Sequence, residues 1–142
     1  MHTATRCCVS PLRLGIVALL WLWSQLAWAV VTQEVSYHSE PGVRIAATLE
    51  LPQAAGPVAA RVPVVVLAVG AGPWGRGGYG ALRQRLHTAG IATLSYDKRG
   101  FGASTGTFDE SLPLVSRDIV AAVTYLRSRP DVDGRRIGLG AC

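Results

Sequence analysis

Polar and apolar residues alternate over positions 34–39 and 43–51, and the turn-forming cluster Glu40-Pro41-Gly42 separates the two runs. This pattern predicts a β-hairpin. The stretch 52–61, rich in Ala, Gly and Pro, reads as a loop. The unbroken β-branched run 62–69 then has the character of a central strand in a sheet covered on both faces. A glycine-rich loop, 70–80, leads into a predicted helix with Leu82, Leu86 and Ala89 on its inner stripe and Arg83, Gln84 and His87 facing out. Gly90 ends that helix. A second buried strand is predicted over 91–96, with a turn at 97–102. A second helix is predicted over 112–127, its apolar face carrying Val115, Ile119, Ala122, Val123 and Leu126, and Pro130 stops it. Residues 131–136 lead into a third buried strand at 137–139, and Gly140-Ala-Cys142 follows. The order after the hairpin is β-α-β-α-β. Right-handed crossovers make that an α/β fold, a parallel sheet with helices on its faces.

The residues ahead of the hairpin read differently. Arg6 and Arg13 precede an uncharged apolar run, 14–23, and Ala27-Trp-Ala29 places small residues where a signal peptidase cuts. The expectation is a signal peptide over 1–29 and a truncated domain over 30–142, exported to a periplasmic or external compartment. The alternative is a membrane anchor through residues 14–33, the only membrane contact foreseen.

Of the 142 residues, 14 are basic and 9 acidic; residues 1–29 hold two of the basic ones, which leaves a charge of +3 beyond them. The arginines are scattered instead of striped with aromatics, so no nucleic-acid partner is expected. Cys7 and Cys8 fall in the leader and only Cys142 in the domain, so no intrachain disulfide is expected there.

Three readings of the glycine loop stand side by side. Gly70-Ala-Gly-Pro-Trp-Gly75 satisfies G-x-G-x-x-G after a strand, and Asp97 stands 22 residues beyond Gly75, the pattern of a dinucleotide site. Pro73, without an N–H, and bulky Trp74 fit poorly against a pyrophosphate. Alternatively the backbone amides of Ala71 and Gly72 form an oxyanion hole for acyl transfer. The third reading is a turn without a ligand. A hairpin ahead of the first parallel strand and an exported compartment both weigh against the dinucleotide site.

Residues 97–106, Asp-Lys-Arg-Gly-Phe-Gly-Ala-Ser-Thr-Gly, resemble the D-x-R-G-x-G-x-S segment of α/β-hydrolases. Residues 66–73 are similar to that family's strand and H-G-x-G-P loop, with Val69 where the family often has His. Residues 129–139 resemble the run into its nucleophile strand. The resemblance covers about 34–142 and lies nearest the exported esterases, dienelactone hydrolases and serine-aminopeptidase-like members. It implies a nucleophile on a G-x-S-x-G elbow, followed later in the chain by an acid and a histidine. His2, His38 and His87 stand in the leader, an early strand and a helix, none in the place of that histidine. Aligned by Gly140, Cys142 takes the nucleophile position; aligned by 137–139, the nucleophile lies beyond it. Asp97, Arg99, Gly100, Gly102 and Ser104 are expected to brace their turn.

The resemblance implies hydrolysis of a small-molecule ester or peptide through an acyl-enzyme, with neither cofactor nor metal, in the N-terminal part of an α/β-hydrolase fold, a fragment lacking the catalytic acid and histidine. The alternative is an inactive remnant whose third parallel strand is left as an apolar edge.

Overall fold

The computed structural model describes residues 29–53 and 61–141. The leader expected over 1–29, nearly all of it, the middle of the 52–61 loop and Cys142 lie outside the described residues.

Five strands and two helices follow in the order β1 (Val30–Glu40), β2 (Val43–Pro52), β3 (Val62–Ala68), α1 (Gly80–Thr88), β4 (Ala92–Tyr96), α2 (Leu112–Arg127) and β5 (Val132–Ala141). The strands form one sheet in the order β1-β2-β4-β3-β5. The hairpin β1–β2 is antiparallel, and β2 continues antiparallel onto β4. β3 lies between β4 and β5 and runs parallel to both. This is the α/β arrangement that the alternation of patterns predicts.

Successive residues of β4 serve opposite faces. Leu94 joins Ile45, Leu49, Val64, Val66 and Val132 in a core closed by Ala122 and Leu126 of α2. Thr93 faces α1 and hydrogen-bonds His87. Leu126 is fully buried, a contribution of about 1.5–3 kcal/mol from removing such a side chain from water. α2 packs on β1, β3 and β5, whereas α1 packs on β4 and β2.

Three details depart from the patterning. β1 begins at Val30 and β5 at Val132, both earlier than the expected 34 and 137, because Val30 pairs with Pro52 of β2 and Val132 with Val62 of β3; residues 133–136 lie in a register irregularity before Ile137 pairs with Val64. The face of α1 is also displaced by one residue. His87 is buried and Arg83 and Leu86 are half-buried, while Leu82 is exposed. Glu50 of β2 is the physical reason: its Oε2 accepts from Arg83 Nη1 and from Thr93 Oγ1, both at 3.1 Å, and the His87 ring completes the network. Polar groups with such partners can be buried where a hydrophobic stripe would otherwise lie.

Candidate active site at the sheet switch point

From β3 the chain crosses to β4 on one side and then returns to place β5 on the other side of β3. Connections that leave a strand in opposite directions open a crevice at the carboxyl ends of the parallel strands, the usual ligand site of open α/β sheets. Three segments meet there: the loop 69–79 after β3, the turn 97–106 after β4, and the end of β5, where Gly140 pairs with Leu67 and Ala141 with Ala68. A cleft of about 520 Å³ lies on this rim, lined by Val69, Gly70, Trp74, Arg76 and Tyr79 among others. Trp74 is 61% exposed at its mouth. Tyr79 adopts a left-handed backbone conformation, φ 64°, and its hydroxyl donates to the Ala68 carbonyl at 3.2 Å.

Asp97 ties two of the three segments together. Its Oδ1 accepts from the Arg76 amide at 3.2 Å, and Oδ2 accepts from the Ala103 amide at 3.0 Å and pairs with Arg76 Nε at 3.1 Å. A Cβ on Gly102 would stand 2.5 Å from Oδ2, and one on Gly75 2.8 Å from Oδ1, so both glycines are needed for the close approach. Arg76 reaches on to Glu34 and Thr48 of the hairpin. The Glu34 carboxyl is held below its usual range by hydrogen bonds from Thr48 and Arg76.

Ser104 and Arg99 secure the turn after β4. Ser104 Oγ donates to the Asp97 carbonyl at 2.7 Å and accepts from the Ala46 amide at 2.9 Å, which locks the turn to β2. Gly100, at φ +68°, leaves no room for a side chain: a Cβ would stand 2.2 Å from the Phe108 nitrogen. Arg99 turns away from the cleft. It holds Asp118 of α2 with two bonds and Glu40 of β1 with a third, Nη1 to Oε1 at 2.8 Å. The Asp118 hydrogen bond raises the guanidinium pKa against the opposing effect of burial.

Lys98 is the charged group that addresses the glycine loop. Its ammonium, on a side chain only 9% exposed, donates to the carbonyls of Gly70 at 2.6 Å and Gly72 at 2.9 Å, and to Glu110. Glu110 Oε1 also accepts the Gly72 amide at 2.7 Å. These bonds, from Lys98 first and Gly72 second, hold the Glu110 carboxyl below the usual glutamate range. The two amides expected as oxyanion donors therefore differ: the Gly72 N–H is occupied by a carboxylate, whereas the Ala71 N–H donates to no group among the described residues; the carbonyl of the Ala71–Gly72 unit accepts from Trp74 Nε1 at 2.7 Å.

His87 stands away from this rim. Its Nε2 lies 3.0 Å from Thr93 Oγ1, and burial pushes its pKa down, opposed by Glu50. His38 lines a groove between β1 and α2. Among the described residues no group of three His, Cys, Asp or Glu is placed to hold a metal ion, and no helix is long and apolar enough to cross a membrane.

The residues missed in the sequence are Lys98 and Glu110 at the loop, Asp118 and Glu40 behind it, and Arg76. Lys98 was visible only as the variable position of D-x-R-G. Glu110, Asp118 and Glu40 carry no local signal, since their partners are distant in the chain.

No family model matches the chain. An uncharacterized 31.7 kDa protein of the traX-finO intergenic region of Escherichia coli is 36% identical over 52 residues, which are 36% of this chain and 18% of that one. Among solved structures, a hypothetical protein of Pseudomonas aeruginosa is 28% identical with a TM-score of 0.66, over 78% of this chain and 34% of that one. The α/β hydrolase GrgF from Penicillium sp. sh18 superposes with a TM-score of 0.65 at 23% identity, over 78% of this chain and 37% of that one. An acetyl xylan esterase from Paenibacillus sp. R4 superposes with a TM-score of 0.57 at 19% identity, over 90% of this chain and 50% of that one. The chain has the α/β-hydrolase fold and spans between a third and a half of these solved structures.

Proposed function

We propose that this chain builds the carbonyl-binding side of a hydrolase acting on carboxylic esters, or on peptides, through an acyl-enzyme. One observation carries the reading: the pinned loop 70–75 stands at the switch point of the sheet, beside the end of the neighbouring parallel strand β5. Backbone amides fixed before substrate arrives stabilise the charge that grows on a carbonyl oxygen during acyl transfer. A nucleophile leaving β5 would attack from that side, and Cys142 is the first residue after Ala141. A thiol forms such an intermediate once ionised. The acetyl xylan esterase among the structural neighbours supports a small-molecule substrate.

The dinucleotide reading loses its support in the same geometry. Asp97 is 5% exposed and its carboxylate is engaged within the rim, out of reach of a ribose. Helix α1 begins at Gly80, so the glycines 70–75 do not open a helix onto a pyrophosphate.

Neither His38 nor His87 stands by the loop, and the acid and base partners of the nucleophile are assigned to none of the described residues. As the N-terminal part of such an enzyme, the chain would take an acyl group and release it slowly. The test is the reaction of the purified protein with p-nitrophenyl acetate. The expected result is a burst of p-nitrophenolate that disappears in Cys142→Ala and is roughly 10²-fold faster than in the same chain unfolded in urea, the worth of one oxyanion donor. A folded chain reacting no faster than the unfolded one overturns the reading. It would favour the inactive remnant.

The exported compartment is proposed from Arg6, Arg13, the apolar run 14–23 and Ala27-Trp-Ala29. Protein recovered from outside the cytoplasm should begin at Val30 by mass. An intact N-terminus in the membrane fraction would instead show the anchor at 14–33.

A further inference from the structure

We propose that Lys98 is a positioning residue for acyl transfer: by holding the Gly70 carbonyl and the Glu110 carboxylate, it commits the Ala71 N–H, and not the Gly72 N–H, to the substrate carbonyl. The inference rests on the hydrolase reading and deepens it.

The argument is peptide geometry. In a trans peptide the C=O and the following N–H point in opposite directions, and none of the described peptides is cis. Lys98 draws the Gly70 carbonyl toward itself at 2.6 Å. The N–H of the same peptide unit, that of Ala71, is thereby directed away from the ammonium. The next unit is held at both ends, its carbonyl by Trp74 Nε1 and its N–H by Glu110. In the third, the Gly72 carbonyl accepts from Lys98 at 2.9 Å and from the Trp74 amide at 2.8 Å, and Pro73 has no N–H to offer. Three successive peptides are thus oriented, and one N–H points off the clamp.

The chemistry of the clamp requires a lysine. An ammonium carries three donors on a compact centre, and Lys98 has three acceptors: two carbonyls and one carboxylate. Glu110 is 32% exposed, yet it bonds both the ammonium and the Gly72 amide, so it closes the clamp from the loop ahead of α2. Without Lys98 the Gly70–Ala71 unit would be free to rotate, and with it the donor.

The test uses the full chain labelled with ¹⁵N, and reads the amide resonances and solvent exchange of Ala71 and Gly72. In the unaltered protein, the Gly72 proton should follow the acid titration of Glu110 while that of Ala71 does not. Lys98→Met should move both resonances and speed exchange at Gly72 at least about tenfold, while the Arg76 and Ala103 amides, held by Asp97, stay in place. An unmoved Ala71 resonance in that variant overturns the proposal. Should Arg76 and Ala103 move as well, Glu110→Ala decides: faster exchange at Gly72 supports the clamp, and unchanged exchange refutes it. In the p-nitrophenyl acetate reaction Lys98→Met should lower the acylation rate roughly 10²-fold with KM held. No reaction in the unaltered protein would refute the hydrolase reading alone, because the resonances report the clamp without chemistry.

Discussion

Arg99 and Asp118 meet through two parallel hydrogen bonds, Nε to Oδ2 at 2.9 Å and Nη2 to Oδ1 at 2.6 Å, with both side chains only 5% exposed. The pair joins the turn after β4 to α2. Removing one partner of a buried pair leaves the other charged and unsolvated, so Asp118→Ala should cost about 3–5 kcal/mol. Arg99→Lys should recover little of the loss, since a point-like ammonium cannot reproduce the two-pronged contact. Urea unfolding followed by circular dichroism measures both; a loss below about 1 kcal/mol for Asp118→Ala would show that the pair is not what holds turn to helix.

Gly102→Ala should be destabilising on two counts. The residue sits at φ +57°, where an L side chain is strained by about 1–3 kcal/mol, and its Cβ would stand 2.5 Å from Asp97 Oδ2. The displaced carboxylate would release Arg76, so the midpoint in urea should fall and the Arg76 amide resonance should shift. Gly42→Ala makes a control: it shares the positive φ, at +81°, but has open space around its Cβ.

The His87 network predicts a pH dependence of known sign. Burial lowers the His87 pKa in the folded state, with Glu50 opposing and Arg83 reinforcing the shift. The unfolded chain then binds the proton more readily than the native one, so stability is constant above the ordinary histidine range and falls as pH drops below about 6.5. His87→Gln should flatten that slope when unfolding free energy is measured between pH 7 and pH 5. An unchanged slope would place its origin elsewhere.

Leu139 predicts self-association. It is exposed on β5, the strand at one edge of the sheet, and bare apolar edges pair with other chains. Leu139→Lys should shift the protein toward monomer in sedimentation experiments at fixed concentration. An unaltered distribution would exonerate this edge.

Much of this architecture is legible in the residues, and the illegible part has a common cause. The run Val62 to Val69 and the stripe Val115–Ile119–Ala122–Leu126 announce β3 and α2 because burial there is apolar and local in pattern. α1 is found, but its inner face is displaced, because His87 is buried and Arg83 half-buried on the strength of Glu50, a residue of strand β2. The rim follows the same rule. Asp97, Ser104 and the glycines of the turn stand within a few residues of one another and can be recognised together. The partnership of Lys98 with Gly70, Gly72 and Glu110 depends on β3 and β4 lying side by side, a fact of pairing that no short window contains.

The two oxygens of Asp97 have a last implication for anyone who would rebuild this rim. One oxygen accepts an amide from the loop after β3 and the other an amide from the turn after β4, with Arg76 and Asp97 separated by 21 positions in the chain. The two segments are therefore a single rivet joint and not interchangeable modules. Transplanting either alone into a foreign scaffold would sever half of the fastening, and a library that diversifies one while freezing the other would sample mostly sprung geometries.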